Sequence, residues 1–198
     1  MRIVGGSLRG RLLTAPTGRD TRPTLDRVRE ALFNILTHAS RWYEDDQNPL
    51  YDGLVLDAYA GSGALGLEAI SRGAQKAVFF DLDRGALAAI EQNIADLKLG
   101  DKTRVQRADA TKPPRAPEPA TMVFLDPPYQ KDLLGPSITA LANAGWINDK
   151  TLIIAERDPR EPAPEVGGLE TLDSRKYGRC QIDIYRLEAI TSAQARSG

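Results

Sequence analysis

Cysteine and histidine are almost missing from this chain of 198 residues: each occurs once, as Cys180 and His38. One cysteine cannot close an internal disulfide, and it reads as a small strand residue in a reducing compartment. Thiolate or histidine-rich metal sites need several ligands, so no resident metal is expected. A Ser-His-Asp or Cys-His mechanism would have to run through His38 alone. No apolar run approaches the ~18 residues that cross a bilayer. Met1 leads into Arg2-Ile3-Val4-Gly5-Gly6 without an apolar signal core, so no secretory leader is read. The expectation is a soluble, cytoplasmic monomer with no membrane partner. A 41% hydrophobic content suits one compact domain. At this size roughly 70% of the unfolded surface is buried, so no covalent staple is needed.

A large net charge is also missing: the total is −1. The distribution is uneven, however. Residues 1–41 hold eight arginines, no lysine and three acids, a surplus of +5 that leaves −6 for the rest. A basic block on a mildly acidic body is the pattern of a nucleic-acid-contacting appendage; a solvated arginine-rich surface accounts for it equally.

Glycines punctuate Arg2 to Leu13 into two brief strands, so residues 1–20 read as a small β-hairpin appendage. Thr24 is placed to cap a helix in which Leu25, Val28, Leu32, Ile35 and Leu36 share one face, with Arg27 and Arg29 off it. From residue 52 the rhythm changes. Apolar runs end at Ala58, Asp81, Gln106, Asp126 and Glu156, with helical segments through Leu65–Ile70, Arg84–Leu97 and 131–145. Strands alternating with helices predict a parallel α/β sheet covered on both faces. Leu169–Tyr177 and Gln181–Leu187 have no helix between them and read as an antiparallel hairpin closing the sheet. The domain is read as residues 21–190, with 191–198 as a frayed tail.

Gly61-Ser62-Gly63-Ala64-Leu65-Gly66 satisfies G-x-G-x-x-G between a strand and a helix. Asp81 lies twenty residues after Gly61, where a ribose-binding acid belongs. A nicotinamide dinucleotide is one reading of this pattern. Asp57 opposes it, because a carboxylate beside the loop would repel a pyrophosphate. S-adenosylmethionine carries an ammonium, a sulfonium and no phosphate. Asp81 would take its ribose and Asp109 its adenine amine, with Leu82 packing on the ring. Ala58, at the end of the first strand, and Ala110, after the third, are read with Gly61, Gly63 and Gly66 as cofactor-binding. Helix capping or loop solvation would explain Asp57 or Asp109 singly.

Asp126-Pro127-Pro128-Tyr129 follows the fourth strand. Two prolines remove two N–H donors and leave an array of acceptors. Such acceptors suit a planar exocyclic amine, with Tyr129 as a face on which an unpaired base stacks. Hydrogen bonds from the amine to Asp126 and the Pro127 carbonyl would orient its lone pair toward a methyl donor. A rigid turn with an incidental aromatic is the plainer alternative.

Asp57-Ala58-Tyr59-Ala60-Gly61-Ser62-Gly63 and the D-P-P-Y tetrapeptide resemble the SAM-dependent amino-methyltransferases. The opening Arg2-Ile3-Val4-Gly5-Gly6, Thr21-Arg22-Pro23-Thr24 and Arg27-Val28-Arg29-Glu30-Ala31-Leu32-Phe33-Asn34 narrow the likeness to the RsmD family, over nearly the whole chain. That resemblance implies methylation of a guanine N2 in 16S ribosomal RNA, in an assembled or assembling small subunit whose ribosomal proteins share the substrate surface. It implies a seven-stranded sheet ordered 3-2-1-4-5-7-6. It also implies RNA contacts from Arg2, Arg9, Arg11, Arg22, Thr24 and Arg27. Where Asp81 stands the family more often has glutamate, which reaches further with the same charge. D-P-P-Y serves an adenine N6 as well as a guanine N2, so an adenine methyltransferase stays open. So does a catalytically silent RNA-binding assembly factor. A glutamine-modifying methyltransferase fits less well, because such enzymes usually carry Asn where Asp126 stands.

Overall fold

A computed structural model describes residues 1–16, 23–38, 40–43 and 47–189. Its elements are α1 (Pro23–His38), β1 (Leu54–Asp57), α2 (Ala64–Ser71), β2 (Lys76–Asp81), α3 (Arg84–Leu97), β3 (Thr103–Arg107), β4 (Met122–Leu125), α4 (Leu134–Asn143), β5 (Leu152–Arg157), β6 (Leu169–Tyr177) and β7 (Cys180–Leu187). The seven strands form one sheet in the order β3-β2-β1-β4-β5-β7-β6. The first five are parallel, and β7 runs antiparallel to both β5 and β6. Both the order and the closing hairpin match the expectation.

Alternation along the strands splits the core into two layers. Val55, Phe79 and Phe124 pack with Phe33 of α1, Leu67 of α2 and Ile90 of α3. Their chain neighbours Leu56, Phe80 and Val123 point the other way, toward Ile138 and Leu141 of α4. Trp146 seals that second layer edge-on against Phe80, at 5.2 Å between ring centroids, and Trp42 is buried in the first. Both tryptophans are packing residues, as read from sequence. His38 is the exposed last residue of α1.

Three expectations change. First, α1 begins at Pro23, so Thr24 lies inside the helix rather than ahead of it; a proline's fixed φ suits the first helical position. Second, the two strands expected in residues 1–20 shorten to a brief antiparallel pairing within residues 1–13. Among the described residues they make one antiparallel bridge, Arg2 with Leu12, around a 3₁₀ turn at Gly6–Leu8. Ile3 N donates to the Arg11 carbonyl and Gly10 N to the Ile3 carbonyl, each at 2.9 Å, and Leu13 N to the Met1 carbonyl at 3.0 Å, while other N–H groups of the segment bond to the body. Val4 N donates to Glu68 Oε2 at 2.8 Å, Leu8 N to Ser71 Oγ at 2.9 Å, and Thr14 N to Asn93 Oδ1 at 2.7 Å. Ile3 and Leu13 are buried in the first core layer. Gly6 permits the close approach: its φ is +74°, and a Cβ there would lie 1.9 Å from the Ser71 carbonyl oxygen.

Third, Arg29 is not on a solvated face. It is only 6% exposed and joins a buried ionic cluster centred on Glu68, which is fully buried. Glu68 Oε1 accepts from Arg72 Nε at 2.7 Å, and its Oε2 lies 3.8 Å from Arg29 Nε. Arg29 Nη2 also donates to Asp26 Oδ1 at 2.9 Å and to the Arg2 carbonyl. One carboxylate thus ties the N-terminal segment, α1 and α2 together. Removing one partner from a buried ionic cluster strands the others without compensation. Glu68→Ala should therefore cost about 3–5 kcal/mol of unfolding free energy in a urea titration; a loss below about 1 kcal/mol would contradict the cluster's role.

Candidate active site at the carboxyl edge of the sheet

β1 ends at Asp57, and the chain turns through Ala58–Gly63 into α2. Neighbouring strands pin this turn from both sides. Ala58 N donates to the Phe124 carbonyl and Ala60 N to the Phe80 carbonyl, each at 3.0 Å. Gly61 and Gly63 take positive φ, at +57° and +76°. Gly66 sits where helix meets strand: a Cβ would lie 2.4 Å from Phe79 Cε1, on a fully buried ring. Its role is close helix–strand packing. Asn93, on α3, is 1% exposed and clasps the loop, donating to the Ser62 carbonyl at 3.0 Å and the Thr14 carbonyl at 2.9 Å.

Two predicted acids brace the loop. Asp57 Oδ2 accepts from Gly66 N at 3.0 Å, and Asp81 Oδ2 from Gly61 N at 2.8 Å. Asp81 Oδ1 also accepts from Asp83 N at 2.9 Å. Asp57 is 2% exposed. Burial pushes its carboxyl up to about 7; the Gly66 N–H opposes the shift and the nearby Asp81 charge adds to it. The third acid, Asp109, accepts from Thr111 N at 2.8 Å and Thr111 Oγ1 at 2.7 Å, the local turn that loop solvation foresaw. Leu82 is 54% exposed and Ala110 is buried in the second core layer.

At the next strand end, Asp126 is exposed and Pro127 buried, while Pro128 and Tyr129 are exposed. The Tyr129 hydroxyl donates to Glu156 Oε1 at 2.7 Å. Its pKa is raised by partial burial, by that hydrogen bond, and by the charges of Glu156 and Asp126. Between the glycine loop and this edge lies a pocket of about 240 Å³, bordered by Asp57, Tyr59, Gly61, Asp126, Glu156 and Arg29. The fold thus brings Asp57, Gly61 and Asp126 around one space; Ala58, Gly63, Gly66, Asp81, Leu82, Asp109 and Ala110 lie outside its lining, as do Pro127, Pro128 and Tyr129. Arg2, Arg9, Arg11 and Arg27 are exposed, with Arg11 Nη2 donating to the Asp96 carbonyl at 2.8 Å. Arg22 and the Thr24 side chain lie outside the described residues, as does the 191–198 tail. Glu156 and Arg29 were missed in sequence. Glu156 had a signal, because it closes the fifth apolar run of the sequence as Asp126 closes the fourth.

The chain matches the family described as "Conserved hypothetical protein 95" over residues 1–186. It is 37% identical over 196 residues to ribosomal RNA small subunit methyltransferase D of Escherichia coli K12, covering 98% of this chain and 94% of that protein. The Haemophilus influenzae protein of the same name is 33% identical over 190 residues, covering 94% of this chain and 93% of that one. The chain belongs to the RsmD family of methyltransferases. The solved structure of yhhF from E. coli superposes with a TM-score of 0.77 at 36% identity, covering 96% of this chain and 98% of that chain.

The donor set fits an RsmD-type methyl donor. Carboxylates at Asp57 and Asp81 suit amine and hydroxyl donors and disfavour a pyrophosphate. No group of three or more potential metal ligands occurs among the described residues, and no helix among them is long and apolar enough to cross a membrane.

An acid whose folded pKa exceeds its unfolded one costs stability as pH rises. For Asp57 that cost is absent below its ordinary 3.8 and complete above about 7. Asp57→Asn escapes it. The unfolding free energy of Asp57→Asn relative to wild type should therefore shift in the variant's favour between about pH 4 and about pH 8 in urea titrations. A difference independent of pH would refute the buried charge.

Proposed function

We propose that this chain methylates the exocyclic N2 of a guanine in 16S ribosomal RNA, within an assembled or assembling small ribosomal subunit. One observation carries the reading: the loop acid Asp57 and the D-P-P-Y acid Asp126 border the same pocket. A cofactor loop therefore adjoins an array of amine acceptors. The RNA substrate is supported by the names of the relatives above.

S-adenosylmethionine, when bound, would supply an electrophilic methyl group, the S–CH3 bond breaking to leave S-adenosylhomocysteine as the amine gives up a proton to solvent. Asp57, Ala58, Gly61, Gly63 and Gly66 would hold it at the loop, with Asp81 at the ribose and Leu82, Asp109 and Ala110 toward the adenine. The rest falls to the chain's own residues. An aryl amine is a poor nucleophile because its lone pair is delocalised into the ring. Asp126 and the Pro127 carbonyl accept its N–H hydrogens and aim that lone pair. Asp126 also places negative charge where the nitrogen becomes positive. Pro127 and Pro128 hold the backbone still, because their rings fix φ. Tyr129, 41% exposed, offers a stacking face to an unpaired base. Residues 1–20 form the RNA-contacting part in this reading. Arg2, Arg9, Arg11, Arg22 and Arg27 engage the phosphate backbone through a salt-sensitive, sequence-independent attraction, with Thr24 as an uncharged contact beside them. Ribosomal proteins complete the docking surface.

Asp126→Ala tests the assignment. Methyl transfer to small subunits should fall by about 10²–10³-fold or more, the scale of losing one preorganised electrostatic group. Cofactor and RNA affinity should stay within about twofold, by titration calorimetry and filter binding. Transfer at the wild-type rate would remove Asp126 from the chemistry.

A further inference from the structure

D-P-P-Y orients an exocyclic amine whether it belongs to guanine or adenine. Something else in the pocket must distinguish the two bases, and Glu156 is placed to do so. β4 and β5 run parallel with Leu125 opposite Ala155. Asp126 and Glu156 are the next residues on these adjacent strands, whose spacing is about 4.8 Å. Both carboxylates border the pocket. Both also raise the pKa of the Cys180 thiol, behind the larger effect of its burial.

Glu156 is also anchored. Its Oε1 accepts the Tyr129 hydroxyl at 2.7 Å, so the carboxylate and the stacking ring are held in one fixed relation. A carboxylate accepts at both oxygens and donates at neither. Tyr129 and the Cys180 thiol both hydrogen-bond to this carboxylate, and with about four lone-pair sites it retains acceptor capacity for a further donor. In guanine, two ring nitrogens flank the N2 amine, and one of them, N1, carries a hydrogen. In adenine, the ring nitrogen beside the N6 amine carries a lone pair.

We infer that Glu156 is the residue that selects guanine over adenine: its carboxylate accepts the guanine N1–H while Asp126 and the Pro127 carbonyl hold the neighbouring N2 amine. An adenine in the same place would set its N1 lone pair against a carboxylate oxygen and leave both unsatisfied. Sites built around a substrate hydrogen bond reject analogues lacking it far more strongly than apolar pockets reject a missing methylene.

The inference rests on the guanine-N2 reading, and the test separates the two. Small subunits are reconstituted with RNA carrying either guanine or 2-aminopurine at the methylated position. 2-Aminopurine keeps the N2 amine but has a lone pair at N1. Wild-type kcat/KM should be about 100-fold or more higher on guanine. Glu156→Gln keeps an acceptor for Tyr129 and offers an N–H to N1. Its guanine rate should fall about tenfold or more while its 2-aminopurine rate rises, so that the preference collapses. Tyr129→Phe, which cuts the tether and leaves the carboxylate, should slow both bases by a similar factor. A wild type that methylates guanine but treats both bases alike overturns the inference. So does a Glu156→Gln that stays folded by circular dichroism and slows both equally, which would leave Glu156 as a support for Tyr129 only. No transfer to guanine by the wild type overturns the substrate reading itself, and this inference with it.

Discussion

The Glu68 carboxylate is the interaction on which the site's walls depend. It lies fully buried on α2, a helix otherwise rich in apolar side chains. Burying a charge costs several kcal/mol unless partners and hydrogen bonds compensate. Here Arg72, Arg29 and the Val4 N–H do so. Those partners come from three places in the chain: α2 itself, α1 and the N-terminal segment. Met1, Val28, Arg29 and Leu32 from the latter two form one wall of the pocket. The opposite wall is the loop that opens α2. A single carboxylate therefore sets the distance between the pocket's two sides. Replacing such a cluster with apolar residues often leaves stability unchanged, so its value here is a unique docking of the N-terminal segment.

The second constraint is the parallel sheet. Parallel strands deliver their carboxyl ends to one edge, where ligands of open α/β sheets bind. Asp57 and Asp81 end β1 and β2, Asp126 follows β4, and Glu156 is the next-to-last residue of β5. The fold gives them different tasks through their surroundings. Asp57 is desolvated, and Asp81 accepts one backbone N–H at each oxygen, bracing the loop. Asp126 is exposed, and Glu156 is tethered to a tyrosine ring. Desolvation at Asp57 favours a cationic ligand nearby, since such a ligand stabilises the ionised carboxylate that burial penalises.

Much of this architecture was legible in the sequence, because its signals are local. Short apolar runs separated by helical periods give a parallel sheet, and Gly61–Gly66 and Asp126–Tyr129 mark where strands give way to ligand-facing turns. What was not legible is non-local. Arg29 looks like a solvated arginine on a helix; only the approach of Glu68 from α2 and the Arg2 carbonyl from the N-terminal segment explains its burial. Residues 1–13 have the glycine spacing of a hairpin. They pair that way only briefly, and the N–H groups of Leu8 and Thr14 find side chains on α2 and α3, at Ser71 and Asn93 more than 60 positions away. Glu156 was hidden because a lone glutamate at a strand end is ordinary until its neighbour across the ladder is known.

The central claim is that the pocket delivers a methyl group to a guanine amine of small-subunit RNA. It is tested most directly by offering the purified protein tritiated S-adenosylmethionine with small ribosomal subunits lacking this modification, and in parallel with their naked RNA. The labelled RNA is then digested and its nucleosides identified. Tritiated N2-methylguanosine from the subunits is the predicted result, with weaker labelling of naked RNA where ribosomal proteins shape the docking surface. Tritiated N6-methyladenosine, or no transfer by protein that binds the cofactor, would contradict the account.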